Sequence, residues 1–104
     1  MALTTPVLAP VSYFDASKAQ TFTFAVRGGD QVTGNIITIK NNATLEFVYT
    51  ASVTSFKLEH IVPAGTLTNG TYYQATIKTK NAAGQESNES NAVQFYCYAE
   101  PSFA

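Results

Sequence analysis

Few side chains suited to acid–base or nucleophilic chemistry occur in this sequence, and their spacing gives no catalytic pattern. His60 is the only histidine, and no serine lies in a Gly-x-Ser-x-Gly turn. A nucleophilic site needs a base beside the nucleophile and a third group that orients the base. We therefore predict that the chain has no catalytic residues and that His60 lies at the edge or end of a strand.

Metal and cofactor sites are not predicted either. Cys97 is the only cysteine, and one His and one Cys far apart in the chain do not make a zinc pattern. Cys97 alternates with Val93 and Phe95, which predicts a buried structural thiol. A single cysteine permits no internal disulfide, and this favours a reducing site of synthesis.

Two short motifs are better explained by turns than by function. The segment RGGD, residues 27–30, resembles the adhesive Arg-Gly-Asp tripeptide, but the extra glycine displaces the carboxylate from the guanidinium. Asn-x-Ser/Thr sequons occur at Asn42, Asn69 and Asn88, all in predicted turns. They would carry glycans only in a eukaryotic secreted protein.

The tyrosines are the strongest candidates for a binding role. Tyr49, Tyr72, Tyr96 and Tyr98 are predicted on exposed strand faces, where phenol rings can stack on sugars or anchor a protein contact. The alternative, which the pattern alone favours, is cross-strand aromatic pairing that only holds the sheet together. These four residues are the candidate surface contacts.

The composition excludes several partners. Charged residues make up 12% of the 104-residue chain and the net charge is -1, so no basic stripe is available for nucleic acid or anionic lipid. The longest apolar runs are only a few residues, too short to span a membrane. The first ten residues lack the basic and apolar regions of a signal peptide, so we expect a chain that is cytoplasmic when made or a fragment of a longer one.

Strict alternation of apolar and polar residues recurs along the chain and predicts an all-β fold. With a leading strand near residues 6–13, about seven short strands follow one another, which is typical of an antiparallel β-sandwich. The alternation predicts an inward set of Tyr73, Ala75, Ile77 and Thr79. In the other strands it predicts groups that share one face: Phe22, Phe24 and Val26; Asn35, Ile37 and Ile39; Leu45, Phe47 and Tyr49; Phe56 and Leu58; and Val93, Phe95 and Cys97.

The tyrosine pair Tyr72–Tyr73 suggests how such a sandwich is locked. In one kind of Greek-key sandwich, a tyrosine near the start of the sixth strand turns its hydroxyl back to the backbone a few residues upstream. We assign that role to Tyr73, with Leu67 as the apolar residue beneath it. Tyr72 then faces outward, because neighbouring residues of a strand lie on opposite faces.

The segment from Leu67 to Ser87 resembles the fibronectin type III pattern. The matching positions are Leu67, Asn69, Gly70, Thr71, Tyr73, Ala75, Ile77, Thr79, Asn81 and Gly84. The resemblance covers about the last forty residues and implies an immunoglobulin-like Greek-key sandwich. The family usually carries a tryptophan on its second strand; this chain has none, so Phe22 or Phe24 is expected to fill that volume.

The ending FYCYAEPSFA is similar to domain junctions in tail-associated structural proteins of phages and prophages. That resemblance implies a sandwich domain at residues 1–99, a linker at 100–104 and a place in a virion tail or on a cell surface. It also implies a non-catalytic spacer, decoration or adhesion module whose partners are other domains of the same assembly and possibly a cell-surface glycan. Its variable surface would be the loops RGGDQVTG, KNNAT and NAAGQESNES. The alternative is a carbohydrate-binding module accompanying a glycoside hydrolase.

Overall fold

The chain forms eight strands in two sheets, in a computed structural model that describes residues 3–11, 13–29 and 31–98. The strands are β1 (Val7–Leu8), β2 (Tyr13–Phe14), β3 (Gln20–Ala25), β4 (Gly34–Asn41), β5 (Phe47–Thr54), β6 (Glu59–Val62), β7 (Thr71–Lys80) and β8 (Val93–Cys97). One sheet has the order β1-β3-β6, and the other has the order β2-β8-β7-β4-β5. The expected linker at 100–104 lies outside the described residues.

The N-terminal segment forms two short strands where the sequence predicted one. Strand β1 pairs antiparallel with β3, and β2 pairs parallel with β8 in the other sheet. Pro10 lies between the two strands, and proline has no N–H to continue a ladder. The segment therefore crosses from one sheet to the other and contributes an outer strand to each.

The core lies between the inner faces of the two sheets, and most of the predicted inward residues are there. Phe22 is fully buried, and its ring centroid lies 5.4 Å from that of Phe95 and 6.0 Å from that of Phe14. Phe22 thus occupies the aromatic centre of a core that lacks tryptophan. The buried apolar residues include Phe22, Phe24, Ile37, Ile39, Tyr73, Ala75, Ile77, Val93, Phe95 and Cys97.

The predicted alternation along β5 was wrong, because a β-bulge interrupts its pairing with β4. Tyr49 lies opposite Ile39, but the next pair joins Phe47 to Lys40, so Val48 has no partner in the register. Phe47 is therefore 74% exposed, and the ammonium of Lys40 lies 5.1 Å from its ring centroid. Leu45, predicted to share one face with Phe47 and Tyr49, is also exposed.

The expected strand positions of Phe56 and Leu58 were also wrong. Strand β6 begins only at Glu59, so both residues lie on the segment that leads into it. His60 and Val62 are the buried residues of β6, whereas Phe56 is 70% exposed. The apolar pattern continues before the strand, where the paired register with β3 has ended at Glu59, although the Phe24 N–H still donates to the Leu58 carbonyl at 3.1 Å.

The polar loop NAAGQESNES, predicted as variable surface, is partly anchored to β7. Ser87 Oγ accepts a hydrogen bond from the backbone N–H of Thr79 at 2.9 Å, and Ser90 Oγ accepts one from that of Ile77 at 2.9 Å. Both serines are buried. These hydroxyls satisfy backbone donors of β7 beyond Ala75, where its pairing with β8 ends.

Tyr73 connects the start of β7 to the preceding turn. Its hydroxyl accepts a hydrogen bond of 2.9 Å from the backbone N–H of Thr68, five residues upstream. Leu67 is buried in the same core cluster, and the turn passes through Gly70, whose φ of 90° favours glycine. This is the geometry of a tyrosine corner.

Candidate functional site

Four tyrosines form a continuous row on the outer face of the five-stranded sheet. Tyr72 and Tyr96 are paired across β7 and β8 with ring centroids 4.6 Å apart, and Tyr98 lies 6.0 Å beyond Tyr96. Tyr13 of β2 extends the row, with its ring centroid 5.1 Å from that of Tyr98. We call Tyr72, Tyr96, Tyr98 and Tyr13 the tyrosine track.

Strand pairing explains why these rings come together. Tyr96 and Tyr98 are two positions apart, so both project from the same face. Tyr13 lies opposite Tyr96 in the parallel β2–β8 pair, and the backbone N–H of Tyr98 donates to the carbonyl of Phe14 at 3.0 Å. The track therefore rests on three paired strands. Tyr13 and Tyr72, at its two ends, are 57% and 60% exposed.

Tyr49 does not belong to the track, and its expected outward position is corrected. It lies opposite Ile39 of β4, is half-buried and packs against the core. The bulge beside it places Tyr49 on the inner face and Phe47 on the outer one. Sequence reasoning also missed Tyr13, because only the parallel pairing of β2 with β8 brings it beside Tyr98.

The Tyr13 end of the track opens into a shallow cleft of about 350 Å³, lined by Tyr13, Phe14, Asp15, Lys18 and Tyr98. The carboxylate of Asp15 is held by three donors at Oδ1: the Ser17 N–H at 2.9 Å, the Ser17 hydroxyl at 2.7 Å and the Asn69 amide at 3.1 Å. The Ser17 hydrogen bonds lower the pKa of Asp15 to about 2, with smaller contributions from Asn69 and Lys18. The cleft thus presents a fixed negative charge beside two phenol rings.

His60 has a structural environment. It is only 5% exposed, and its Nδ1 lies 2.6 Å from Oδ1 of Asn35. The Asn35 amide donates to the carbonyl of Glu59 at 3.1 Å, so its oxygen is the acceptor and the histidine Nδ1 carries the proton. The pair joins β4 of one sheet to β6 of the other.

Lowering the pH below the ordinary histidine value should therefore destabilise the fold. Burial lowers the pKa of His60 from 6.5, so the unfolded chain takes up a proton that the folded chain resists. The contribution of neutral His60 to the free energy of unfolding is complete above pH 6.5. It is lost as the pH falls towards the pKa of His60 in the folded chain. Urea unfolding at pH 7.5 and 5.5 should show a lower midpoint at pH 5.5.

The matched control is His60→Asn, whose amide can donate to Asn35 but does not titrate. The midpoint of this variant should change less between the two pH values than that of the natural chain. Equal changes in the two proteins would show that another group is responsible.

Cys97 is also unsuited to nucleophilic chemistry. It is fully buried, and burial together with the nearby charge of Asp15 raises its pKa to about 11. The thiolate, which is the reactive form, is therefore scarce near neutral pH. The part of the chain that the structure describes contains no group of three or more His, Cys, Asp or Glu side chains placed to hold a metal ion.

The other sequence motifs lie apart from the track. Gly28 and Gly29 adopt left-handed backbone, with φ of 64° and 78°, in the RGGD turn, whose Asp30 lies outside the described residues. Asn69 lies in a sequon, and both polar atoms of its side chain are hydrogen-bonded. Its Oδ1 accepts from the N–H of Ala16 at 2.9 Å, and its Nδ2 donates to Asp15 Oδ1.

Within residues 3–11, 13–29 and 31–98, the structure has no apolar helix of the length needed to cross a membrane.

Solved structures share this arrangement of strands. The solved structure of a myokine matches 94% of this chain and 100% of its own at 15% identity, with a TM-score of 0.76. Domains FN1–FN3 of chicken CNTN1 match 93% of this chain at 16% identity, with a TM-score of 0.65. Titin module A71 from human cardiac muscle matches 88% of both chains at 22% identity, with a TM-score of 0.57.

The fold is that of fibronectin type III and immunoglobulin-like domains. The all-β prediction is confirmed, with eight strands where about seven were predicted. A β-1,2-glucanase from Parabacteroides distasonis also contains this fibronectin type III-like fold, with a TM-score of 0.69 and 19% identity over 96% of this chain. The chain spans 13% of that glucanase and 34% of the CNTN1 fragment. No protein-family model and no curated protein sequence matches the chain.

Proposed function

We propose that this chain is a non-catalytic module of a larger cell-surface or virion protein and acts as a spacer and contact domain. The observation that carries the proposal is a fibronectin type III-like sandwich with four adjacent tyrosines on one outer sheet face, of which Tyr13 and Tyr72 are exposed and Tyr96 and Tyr98 half-buried. His60 and Cys97, which could have served catalysis, are buried in the structure instead. Exposed aromatic clusters on a rigid sheet suit a contact surface.

Membership of a larger chain is supported by proteins of the same fold. Both the CNTN1 fragment and the Parabacteroides glucanase are much longer than this sandwich. The virion-tail role rests on the resemblance of the ending FYCYAEPSFA, of which residues 99–104 lie outside the described residues. None of the similar structures named above is a phage tail protein.

The module proposal is tested by the complete open reading frame that encodes this chain. We expect it to encode at least one further folded domain fused to the sandwich. The purified sandwich should also release no sugar from polysaccharides. A reading frame that encodes this sandwich and nothing else, or turnover by the sandwich itself, would contradict the proposal.

A second candidate function is a carbohydrate-binding module that accompanies a glycoside hydrolase, and the tyrosine track favours it. Phenol rings on a flat sheet offer apolar faces to sugar rings and hydroxyls to their edges. The glucanase of Parabacteroides distasonis, which contains a similar sandwich, shows that the fold occurs within a glycoside hydrolase chain. Saturable binding of a cell-wall glycan that is lost in Tyr72→Ala or Tyr96→Ala would support this candidate.

A further inference from the structure

We infer that the tyrosine track and the cleft at its Tyr13 end form one elongated site for a neutral, linear, β-linked glycan. This inference rests on the contact-module function proposed above and names the ligand of its tyrosine-bearing face. It adds Tyr13, Asp15 and Lys18 to the residues that the sequence pattern suggested.

The dimensions of the track favour a chain of sugars over a single sugar. Successive ring centroids are 4.6, 6.0 and 5.1 Å apart from Tyr72 through Tyr96 and Tyr98 to Tyr13. Each of these steps is close to the length of one residue in an extended β-linked glycan. All four rings project from the same face of paired strands, so one ligand can contact several neighbouring rings of the track.

The polar groups beside the rings are suited to sugar hydroxyls. Asp15 Oδ1 is occupied by Ser17 and Asn69, and we assign its other oxygen, Oδ2, to the ligand. Lys18, which is exposed, also lines the cleft and offers a donor. At the far end, Gln74 and Gln94 form the next cross-strand pair on the outer face after Tyr72 and Tyr96, and their amides can both donate and accept.

Charge balance indicates a neutral ligand. The cleft combines one carboxylate, Asp15, with one ammonium, Lys18, and Asn69, which donates to Asp15, is uncharged. An acidic glycan would meet the ionised carboxylate of Asp15 at the point where the track opens. A cleft of about 350 Å³ lined by aromatic rings with a few polar groups is at the small end of the range for ligand sites.

Isothermal titration of the folded domain tests this inference. The probes are cellohexaose, laminarihexaose and chitohexaose, which are neutral linear β-linked hexasaccharides, and hexagalacturonic acid serves as the acidic comparison. We expect saturable binding of at least one neutral probe, and weaker binding of the acidic one. Tyr13→Ala and Tyr98→Ala should each weaken the binding about tenfold.

Phe56→Ala is the matched control, because Phe56 is an exposed aromatic residue outside the track. Its affinity should equal that of the natural chain. No binding of any neutral probe, preference for the acidic one, or equal loss in Phe56→Ala would overturn the glycan site. The module proposal is tested by the open reading frame, so absence of glycan binding would not contradict it.

Discussion

Replacing Phe95 with alanine should lower the free energy of unfolding by about 3–5 kcal/mol. Phe95 is almost fully buried, and its ring lies 5.2 Å from Phe14, 5.4 Å from Phe22 and 5.8 Å from Tyr73, measured between centroids. Removing it leaves a cavity among three aromatic rings drawn from different strands. Urea unfolding monitored by tyrosine fluorescence or circular dichroism measures the loss.

The control for Phe95 is Phe56→Ala, which removes the same side chain from an exposed site. Its free energy of unfolding should stay within about 0.5 kcal/mol of the natural value. A comparable loss in both variants would mean that the region around Phe56 is covered in solution. A small loss in Phe95→Ala would contradict the aromatic core described above.

Replacing Tyr73 with phenylalanine should cost about 1–3 kcal/mol, although only one oxygen atom is removed. The ring would still fill its place in the core, but the backbone N–H of Thr68 would lose its partner at 2.9 Å. That hydrogen bond ties the turn around Gly70 to the start of β7. Urea unfolding of the variant gives the loss directly.

Gln74→Ala is the neighbouring control for Tyr73, because Gln74 lies on the outer face of β7, opposite Gln94. Its effect should be within about 0.5 kcal/mol. If Gln74→Ala were the costlier change, β7 would have its faces reversed. If Tyr73→Phe cost nothing, the hydroxyl would not be locking the turn.

Much of the sandwich is predictable from alternation, because a strand with one buried face has its register strongly specified. Asn35, Ile37 and Ile39 of β4 and the inner residues of β7 and β8 lie where the pattern puts them. Tyr73 follows a turn, which is a local feature of the sequence, and its hydroxyl accepts from the Thr68 N–H. Local sequence patterns predict the buried face of a strand when its pairing is uninterrupted and the opposite sheet covers that face.

The faces of β5 could not be predicted, because its bulge depends on how it pairs with β4. Phe47 and Tyr49 look like members of one face, and only the interrupted register separates them. Similarly, nothing in the pattern around Phe56 shows that β6 begins later, at Glu59. An apolar alternating segment is compatible with a strand even where no partner strand covers it.

The sequence predicted three residues of the candidate site, Tyr72, Tyr96 and Tyr98. It did not predict Tyr13, Asp15 or Lys18. Tyr72, Tyr96 and Tyr98 lie on strands whose outer faces follow from alternation. Tyr13 joins them only through parallel pairing between segments more than eighty residues apart. The Asp15–Ser17 turn has a local signal, since aspartate commonly bonds backbone N–H groups two residues later, but its position beside Tyr98 again depends on that pairing.

The most direct test of the contact surface is a two-dimensional NMR titration of the isotopically labelled domain with a mixture of cellohexaose, laminarihexaose and chitohexaose. We expect the resonance shifts to concentrate on Tyr13, Tyr72, Tyr96 and Tyr98 and their strand neighbours, while the resonances of Tyr49 and Phe56 stay unchanged. Shifts confined to the end loops, or no shifts at saturating sugar, would contradict it.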